Sequence, residues 1–199
     1  MGFDLDGTLY DEFDFVRQVY PACLAHCADL LNPDRLQPAG CYISKRWLEK
    51  GSSYPHLFEE VFELYGLPTA EKEIFISRAL SFFRTFKPRL SLPARSDFML
   101  EIVRKQWPVF LVTDGRVQLQ KNKFDVLGLS TFFSEKCCCF TGSLPAGSSK
   151  PSPSAYEALA LPYSGPEVIF FGDRDVDKEF AQNLNFQFVK VKVMHPVLD

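Results

Sequence analysis

The chain has 199 residues, of which 46% are hydrophobic and 24% are charged, and its formal net charge is −3. This composition is typical of globular proteins and excludes intrinsic disorder as the main state. The slightly acidic balance provides no basic surface, so we expect neither nucleic acid nor a membrane among the partners. The length predicts one domain, or one domain that carries a sizeable insertion.

The N-terminal segment MGFDLDGTLYDE lacks the basic and apolar stretches of a secretion signal, and no apolar run reaches the roughly 20 residues of a membrane helix. We therefore expect a cytoplasmic protein. The six cysteines do not have the spacing of a structural zinc site, which favours free thiols in a reducing compartment. The consecutive Cys137, Cys138 and Cys139 are predicted to be small buried residues of a strand.

The first predicted strand is short, Gly2–Asp4, and a long segment without strands follows it. Four stretches of this segment have helical periodicity: Phe15–Leu31, Ser44–Lys50, His56–Tyr65 and Ala70–Phe86. The prolines of Lys87–Pro93 predict the linker by which the chain returns to the sheet. The sequence thus predicts a core made of residues 1–12 and 93–199, with an all-helical insertion at 13–92.

The second half of the chain alternates between strands and helices. The predicted strands are Trp107–Thr113, Lys136–Phe140, Glu167–Gly172 and Phe186–Val193, and the predicted helices are Arg116–Gly128, Ser152–Ala160 and Asp175–Leu184. The first of these strands is apolar throughout, which is typical of a strand covered on both faces. Short connections between alternating elements predict an α/β fold with a doubly wound, mostly parallel sheet.

Polar residues follow four of the predicted strands. They are Asp4, Asp6, Thr113, Asp114, Lys150, Asp173, Asp175 and Asp177. Because ligands bind at the carboxyl ends of the strands in such sheets, we expect these side chains to converge. So many carboxylates in one crevice require a divalent cation, and Mg²⁺ is usual where few of them bind it. The lysine and the hydroxyl suit a phosphate dianion, beside which one carboxylate can act as a nucleophile and another can move a proton.

These residues lie in four segments that resemble the motifs of the haloacid dehalogenase (HAD) superfamily of hydrolases, in the branch with a helical cap inserted after the first motif. FDLDGTLYDE is similar to motif I, FLVTDG to motif II, SSKPSPSAYEAL to motif III and FFGDRDVDKEFA to motif IV. The resemblance covers essentially the whole chain. It implies a Rossmannoid core and assigns residues 13–92 to a mobile cap.

The same resemblance implies a phosphatase that acts on a small phosphorylated metabolite through an aspartyl-phosphate. Asp4 is then the nucleophile and Asp6 the general acid/base. Thr113 and Lys150 hold the phosphoryl group. Asp114 is placed with them at the phosphate, outside the catalytic pair, where it also turns the chain. Motif II has Thr-Asp-Gly where Thr-Asn-Gly is commoner, which affects contacts near the phosphate.

The resemblance also implies a Mg²⁺ site. Its ligands are the Asp4 carboxylate, the backbone carbonyl of Asp6 and the Asp173 carboxylate. Asp177 supports the metal or its waters, and Asp175 is a rival for that second acidic position of motif IV.

The insertion gives little information about the substrate. Its cations Arg17, Lys45, Arg46 and Lys50 either meet a second anionic group of the substrate or form a solvated helix face, and the pattern favours the solvated face. His26 and His56 are predicted to be structural or surface residues, and His195 lies in the tail.

Other readings remain open from the sequence. We expect a monomer or a homodimer. The main alternative activity is that of a phosphosugar mutase of the same superfamily, and a non-catalytic protein with this fold is a further one. A dehalogenase is disfavoured, because those members lack an acidic residue where Asp6 stands.

Overall fold

The computed structural model describes residues 1–192. Within this range the chain forms two compact units. The core unit contains Met1–Glu12 and residues 89–192, and the helical unit contains Phe13–Pro88. Among the described residues, no helix is both long enough and apolar enough to cross a membrane.

A five-stranded parallel sheet forms the centre of the core unit. Its strands are β1 (Gly2–Phe3), β2 (Phe110–Thr113), β3 (Cys138–Phe140), β4 (Ile169–Gly172) and β5 (Gln187–Lys190), and their spatial order is β3-β2-β1-β4-β5. The chain therefore builds the sheet outward from β1 in one direction and then reverses at β4. This reversal is the switch point where doubly wound sheets bind ligands. The predicted α/β class with a parallel sheet is confirmed.

The strand β1 has only two residues but is held on both sides. Phe3 is opposite Leu111 of β2 and Phe171 of β4, and it is completely buried. Its ring stacks on the ring of Phe171 at 5.0 Å and meets the edge of Phe133 at 6.1 Å. Gly2 faces the opposite side, where a Cβ atom would collide with Phe110. Aromatic packing on both faces thus fixes the short strand that precedes Asp4.

The helices of the helical unit are α1 (Glu12–His26, whose first residue belongs to the core unit), α2 (Leu36–Lys50), α3 (Leu57–Tyr65) and α4 (Lys72–Thr85). Their inward-facing residues Val19, Ile43, Val61 and Phe75 are completely buried. The helix α2 begins well before the predicted Ser44. Pro38 lies in its first turn, where a proline is tolerated because the backbone N–H has no helical acceptor there.

The core unit has the helices α5 (Ala94–Gln106), α6 (Val117–Val126), α7 (Ser154–Glu157) and α8 (Asp175–Asn183). The sequence did not predict α5, because its apolar residues do not fall on one face. Leu100 and Val103 are buried, whereas Phe98 and Ile102 are exposed. The helix α6 is followed by Gly128 in the left-handed conformation (φ 66°), as expected of a glycine just beyond a helix end.

Several predicted boundaries were wrong by a few residues. The strand β2 starts at Phe110 because Trp107 ends α5 and is 46% exposed. The third strand starts at Cys138, since Cys137 lies in a 3₁₀ turn, and only Cys139 of the three cysteines is fully buried. The last strand ends at Lys190, and Val193 lies outside the described residues. Also, α7 is shorter than the predicted Ser152–Ala160. The predicted functional division into core (1–12, 93–199) and cap (13–92) stays a prediction.

Candidate active site

Asp4 directly follows the central strand and continues its pairing, since its backbone N–H donates to the carbonyl of Phe171 at 2.9 Å. Its carboxylate is buried against a lysine. The Nζ atom of Lys150 donates to Asp4 Oδ1 at 2.5 Å and to Asp177 Oδ1 at 2.5 Å. All three side chains are at most 1% exposed. The fold therefore brings the ends of three separated segments into one buried ionic cluster.

Asp4, Asp173 and Asp177 form an acidic cluster in which each residue offers one oxygen within 4.8 Å of the others. Asp4 Oδ2 and Asp173 Oδ1 are buried and have no hydrogen-bond partner among residues 1–192. Gly7 closes this side of the cluster in a left-handed conformation (φ 71°), and a Cβ atom there would collide with the Asp173 carboxylate. Unpaired buried carboxylate oxygens at this spacing fit a divalent cation with oxygen ligands.

The charges of the cluster perturb one another. Burial raises the pKa of Asp4 to about 7, although Lys150 opposes the rise, and the nearby Asp177 adds to it. Burial, followed by the charge of Asp177, also raises the pKa of Asp173. Burial disfavours the ammonium of Lys150, but Asp4 and Asp177 outweigh it and raise the pKa of the lysine. Lys150, together with the nearby Arg174, therefore does not offset three carboxylates, and the cluster favours an additional cation.

Thr113 and Asp114 end the neighbouring strand β2 and have different surroundings. Thr113 Oγ1 is buried and has no hydrogen-bond partner in the described part of the chain, so it can donate to a ligand. Asp114 Oδ1 accepts from Thr141 Oγ1 at 2.8 Å and from the backbone N–H of Lys150 at 3.2 Å. Asp114 thus fixes the loop that carries Lys150. Its predicted place at the phosphate stays a prediction.

Asp6 lies two residues after Asp4 and has its own set of partners. Its Oδ1 atom accepts from Lys123 Nζ at 2.7 Å and from the hydroxyl of Tyr10, and its Oδ2 atom accepts from Gln120 Nε2 at 2.8 Å. Burial would raise the pKa of Asp6, but Lys123 above all, with Tyr10 and Gln120, lowers it. The two carboxylates of motif I therefore have pKa values shifted in opposite directions.

The structure distinguishes the two acidic residues that competed in motif IV. Asp177 is completely buried, and its Oδ2 atom accepts from the backbone N–H of Arg174 at 3.0 Å while Oδ1 accepts from Lys150. The side chain of Asp175 is 84% exposed and pairs with Lys190 at 2.9 Å. Asp177, not Asp175, therefore lies with Asp4 and Asp173. The roles assigned to these residues remain predictions.

Sequence reasoning missed Gln120, Lys123, Glu12 and Arg174. Gln120 and Lys123 are three residues apart on α6 and lie on its buried face with apolar neighbours. A helical wheel of this segment shows two polar residues on an apolar face, which could have identified them. Glu12 is half-buried, and burial together with Asp6 raises its pKa to about 8. The guanidinium of Arg174 lies 4.0 Å from Asp114. The last two carry no recognisable sequence signal.

The cations of the helical unit have different partners. Arg46 donates to both carboxylate oxygens of Glu60, at 2.7 and 2.8 Å, and its side chain is 26% exposed. Arg17 pairs with Asp14 at 3.0 Å on the surface, and Lys50 lies over the ring of Tyr54. Lys45 lies at a largely apolar cavity of about 960 Å³ between α1 and α2.

The two histidines within residues 1–192, His26 and His56, take no part in the acidic cluster. His26 stacks on Phe82, and His56 lies 3.9 Å from Glu59. His195 lies outside the described residues.

The family model of haloacid dehalogenase-like hydrolases matches residues 2–185 of the chain. The chain belongs to this family. The predicted resemblance to this family is thereby confirmed, and the protein is a HAD-like hydrolase. A comparison with curated proteins gives no significant match.

Solved structures of HAD hydrolases have the same fold. A subfamily IA hydrolase from Geobacter sulfurreducens is 18% identical, with a TM-score of 0.67 over 95% of this chain and 84% of that one. A provisionally named β-phosphoglucomutase from Thermotoga maritima is 20% identical, with a TM-score of 0.66 over 100% and 86%. A provisionally named, magnesium-bound HAD hydrolase from Bacillus subtilis is 16% identical, with a TM-score of 0.65 over 99% and 88%. At these identities the similarity shows the fold alone.

Proposed function

We propose that this HAD-like hydrolase is a Mg²⁺-dependent phosphatase that hydrolyses a small phosphorylated metabolite through an aspartyl-phosphate on Asp4. The observation that supports this most is the buried cluster at the end of β1. There the unpaired Oδ2 atom of Asp4 lies among the other acidic residues and beside Lys150, and Thr113 has an unused hydroxyl. A nucleophile, a cation site and two phosphate donors are thus combined at one edge of the sheet.

The acidic cluster fits Mg²⁺. Asp4 and Asp173 each have a buried oxygen that no described group satisfies, and carboxylates are ligands that Mg²⁺ prefers. Asp177 lies within reach of both, but its oxygens accept hydrogen bonds from Lys150 Nζ and from the backbone N–H of Arg174, which suits the supporting role inferred for it. Bound Mg²⁺ would supply positive charge to the phosphate and to the two carboxylates. The residues that would hold it are Asp4, Asp173 and the carbonyl of Asp6, with Asp177 in support.

In the proposed reaction, an oxygen of Asp4 forms a bond to phosphorus and the bond from phosphorus to the leaving alcohol breaks. Asp6 reacts from its protonated form, which Lys123 disfavours in the free protein, and gives that proton to the leaving oxygen. Water then attacks the aspartyl-phosphate, Asp6 takes a proton from that water, and the bond between Asp4 and phosphorus breaks. Asp6 therefore begins and ends a turnover in the same protonation state. Thr113 and Lys150 donate to the phosphoryl oxygens, whose charge increases during transfer.

The test is phosphate release from a panel of phosphorylated metabolites, measured with Mg²⁺ and with EDTA. We expect metal-dependent turnover that Asp4→Asn abolishes and that Asp175→Asn, a change at an exposed acidic residue of α8, leaves unchanged. A requirement for a sugar bisphosphate, with return of the phosphoryl group to the sugar, would indicate a mutase. If the protein is folded but turns over none of the substrates, the proposal is contradicted, and a non-catalytic protein with this fold is favoured.

A further inference from the structure

We propose that Gln120 and Lys123 are positioning residues that fix the Asp6 carboxylate in the orientation needed for proton transfer. The inference rests on the proposed function, because that function gives Asp6 its acid/base role. Neither residue lies in a segment that the four motifs assign to the reaction. Both come from α6, more than a hundred residues after Asp6.

The contacts fix the plane of the carboxylate as well as its position. Lys123 and Gln120 bind different oxygens of Asp6, at 2.7 and 2.8 Å, so rotation about the bond between Cβ and Cγ would break one or both hydrogen bonds. The hydroxyl of Tyr10 adds a third donor on Oδ1. Charge-assisted hydrogen bonds of this kind are the strongest and most directional that side chains make.

Burial shows that the pair is not an ordinary surface contact. Lys123 is 2% exposed and Gln120 is 4% exposed. A buried ammonium is unfavourable unless it is paired, and a buried ion pair that is replaced as a whole by apolar residues often leaves a protein equally stable or more stable. The helix nevertheless uses two inward-facing positions for polar groups, and both meet the same carboxylate. Orientation of Asp6 explains this arrangement, whereas stability alone does not.

Gln120 also connects Asp6 to the loop after β2. Its Nε2 atom donates to the carbonyl of Asp114 at 2.5 Å, directly after the phosphate residue Thr113. Gly115 makes room for this contact in a positive φ conformation (120°), since a Cβ atom there would lie 2.9 Å from Gln120 Nε2. The acid/base group and the phosphate-binding loop therefore share one anchor, which sets their relative positions.

The orientation of a general acid matters only when the leaving group needs a proton. An alkoxide leaves poorly without one, whereas p-nitrophenolate leaves well. We would measure kcat/KM for p-nitrophenyl phosphate and for the best alkyl phosphate of the panel, because kcat/KM reports only the steps up to the aspartyl-phosphate. The proteins are wild type, Asp6→Asn, Lys123→Met and Gln120→Leu. Lys121→Met, an exposed lysine of the same helix, is the matched control.

We expect Lys123→Met and Gln120→Leu to follow Asp6→Asn, with a loss of about 100-fold for the alkyl phosphate and of less than about threefold for p-nitrophenyl phosphate. Lys121→Met should equal wild type for both substrates. Gln120→Leu removes no charge, so it tests the inference even where Lys123→Met does not fold. Circular dichroism and thermal unfolding establish which variants are folded.

Two outcomes separate the inference from the function on which it rests. If Asp6→Asn shows the leaving-group dependence but Gln120→Leu and Lys123→Met lose activity equally on both substrates, or lose none, the two residues are structural and the inference is wrong. If Asp6→Asn itself loses activity equally on both substrates, the acid role of Asp6 is wrong, and the inference is lost with it.

Discussion

Lys150 is the residue whose removal tests the buried ionic cluster most severely. Its Nζ atom lies 2.5 Å from an oxygen of Asp4 and 2.5 Å from an oxygen of Asp177, and the side chain has no exposed surface. Lys150→Met keeps most of the side-chain volume and removes the charge. The substitution leaves two buried carboxylates facing each other without their shared cation.

Removing one partner of a buried ion pair typically costs about 3–5 kcal/mol of the free energy of unfolding. Here the loss is limited, because Asp4 has a pKa of about 7 even beside the lysine, and without it takes up a proton more readily. We therefore expect the lower end, about 3 kcal/mol. This is a large fraction of the roughly 5–15 kcal/mol by which native proteins are stable.

The assay is urea unfolding of metal-free protein near neutral pH, followed by circular dichroism. The control is Lys105→Met, which removes a lysine that is 70% exposed and 3.6 Å from Glu101. We expect the control to change the free energy of unfolding by less than about 0.5 kcal/mol. A loss below about 1 kcal/mol for Lys150→Met would refute the reasoning, because a lysine buried between two carboxylates would then contribute no more than a surface ion pair.

Three further predictions concern metal binding, backbone geometry and pH. Mg²⁺ should raise the melting temperature of wild type and raise that of Asp173→Asn much less, as measured by calorimetry; an equal rise would place the metal elsewhere. Gly7→Ala should lower the free energy of unfolding by about 1–3 kcal/mol in urea titrations, since it combines a strained left-handed backbone with a collision against Asp173; a neutral effect would contradict the geometry. The bonds from Arg46 to Glu60, with those from tyrosine hydroxyls, lower the pKa of Glu60 from 4.5 to about 2. The stabilisation by ionised Glu60 is therefore complete above pH 4.5 and is lost as the pH falls towards 2. The difference in melting temperature between wild type and Glu60→Gln should shrink over that interval. A difference independent of pH would be inconsistent with the ion pair.

The sequence was sufficient to predict the sheet and the residues at its carboxyl edge. A strand buried on both faces, such as the one ending at Thr113, has a continuous apolar signal. Asp4 and Asp173 directly follow strands, and Lys150 lies in the loop between β3 and the next helix. Because the carboxyl ends of parallel strands lie at the same edge of the sheet, these residues lie close together. The family match independently supports the predicted fold.

The residues that the sequence did not reveal are those whose partners lie far away in the chain. The position of Lys123 on the apolar face of its helix is visible in the sequence, but only the fold places its ammonium against Asp6. Likewise, α5 has apolar residues on both faces, and the solvent exposure of Phe98 depends on what the rest of the chain covers. Asp175 and Asp177 are the same residue type, and the sequence alone does not distinguish them. Because they are two residues apart in a helix, one carboxylate faces solvent and the other faces the core.

The proposed function depends above all on the phosphorylation of Asp4. The most direct measurement is to quench the enzyme during turnover of its best substrate, reduce it with borohydride, which converts an aspartyl-phosphate to homoserine, and map the product by peptide mass spectrometry. We expect homoserine at position 4 when Mg²⁺ and substrate are both present, and no homoserine when either is left out. Unmodified Asp4 in protein quenched during steady turnover, or homoserine at another aspartate, would contradict it.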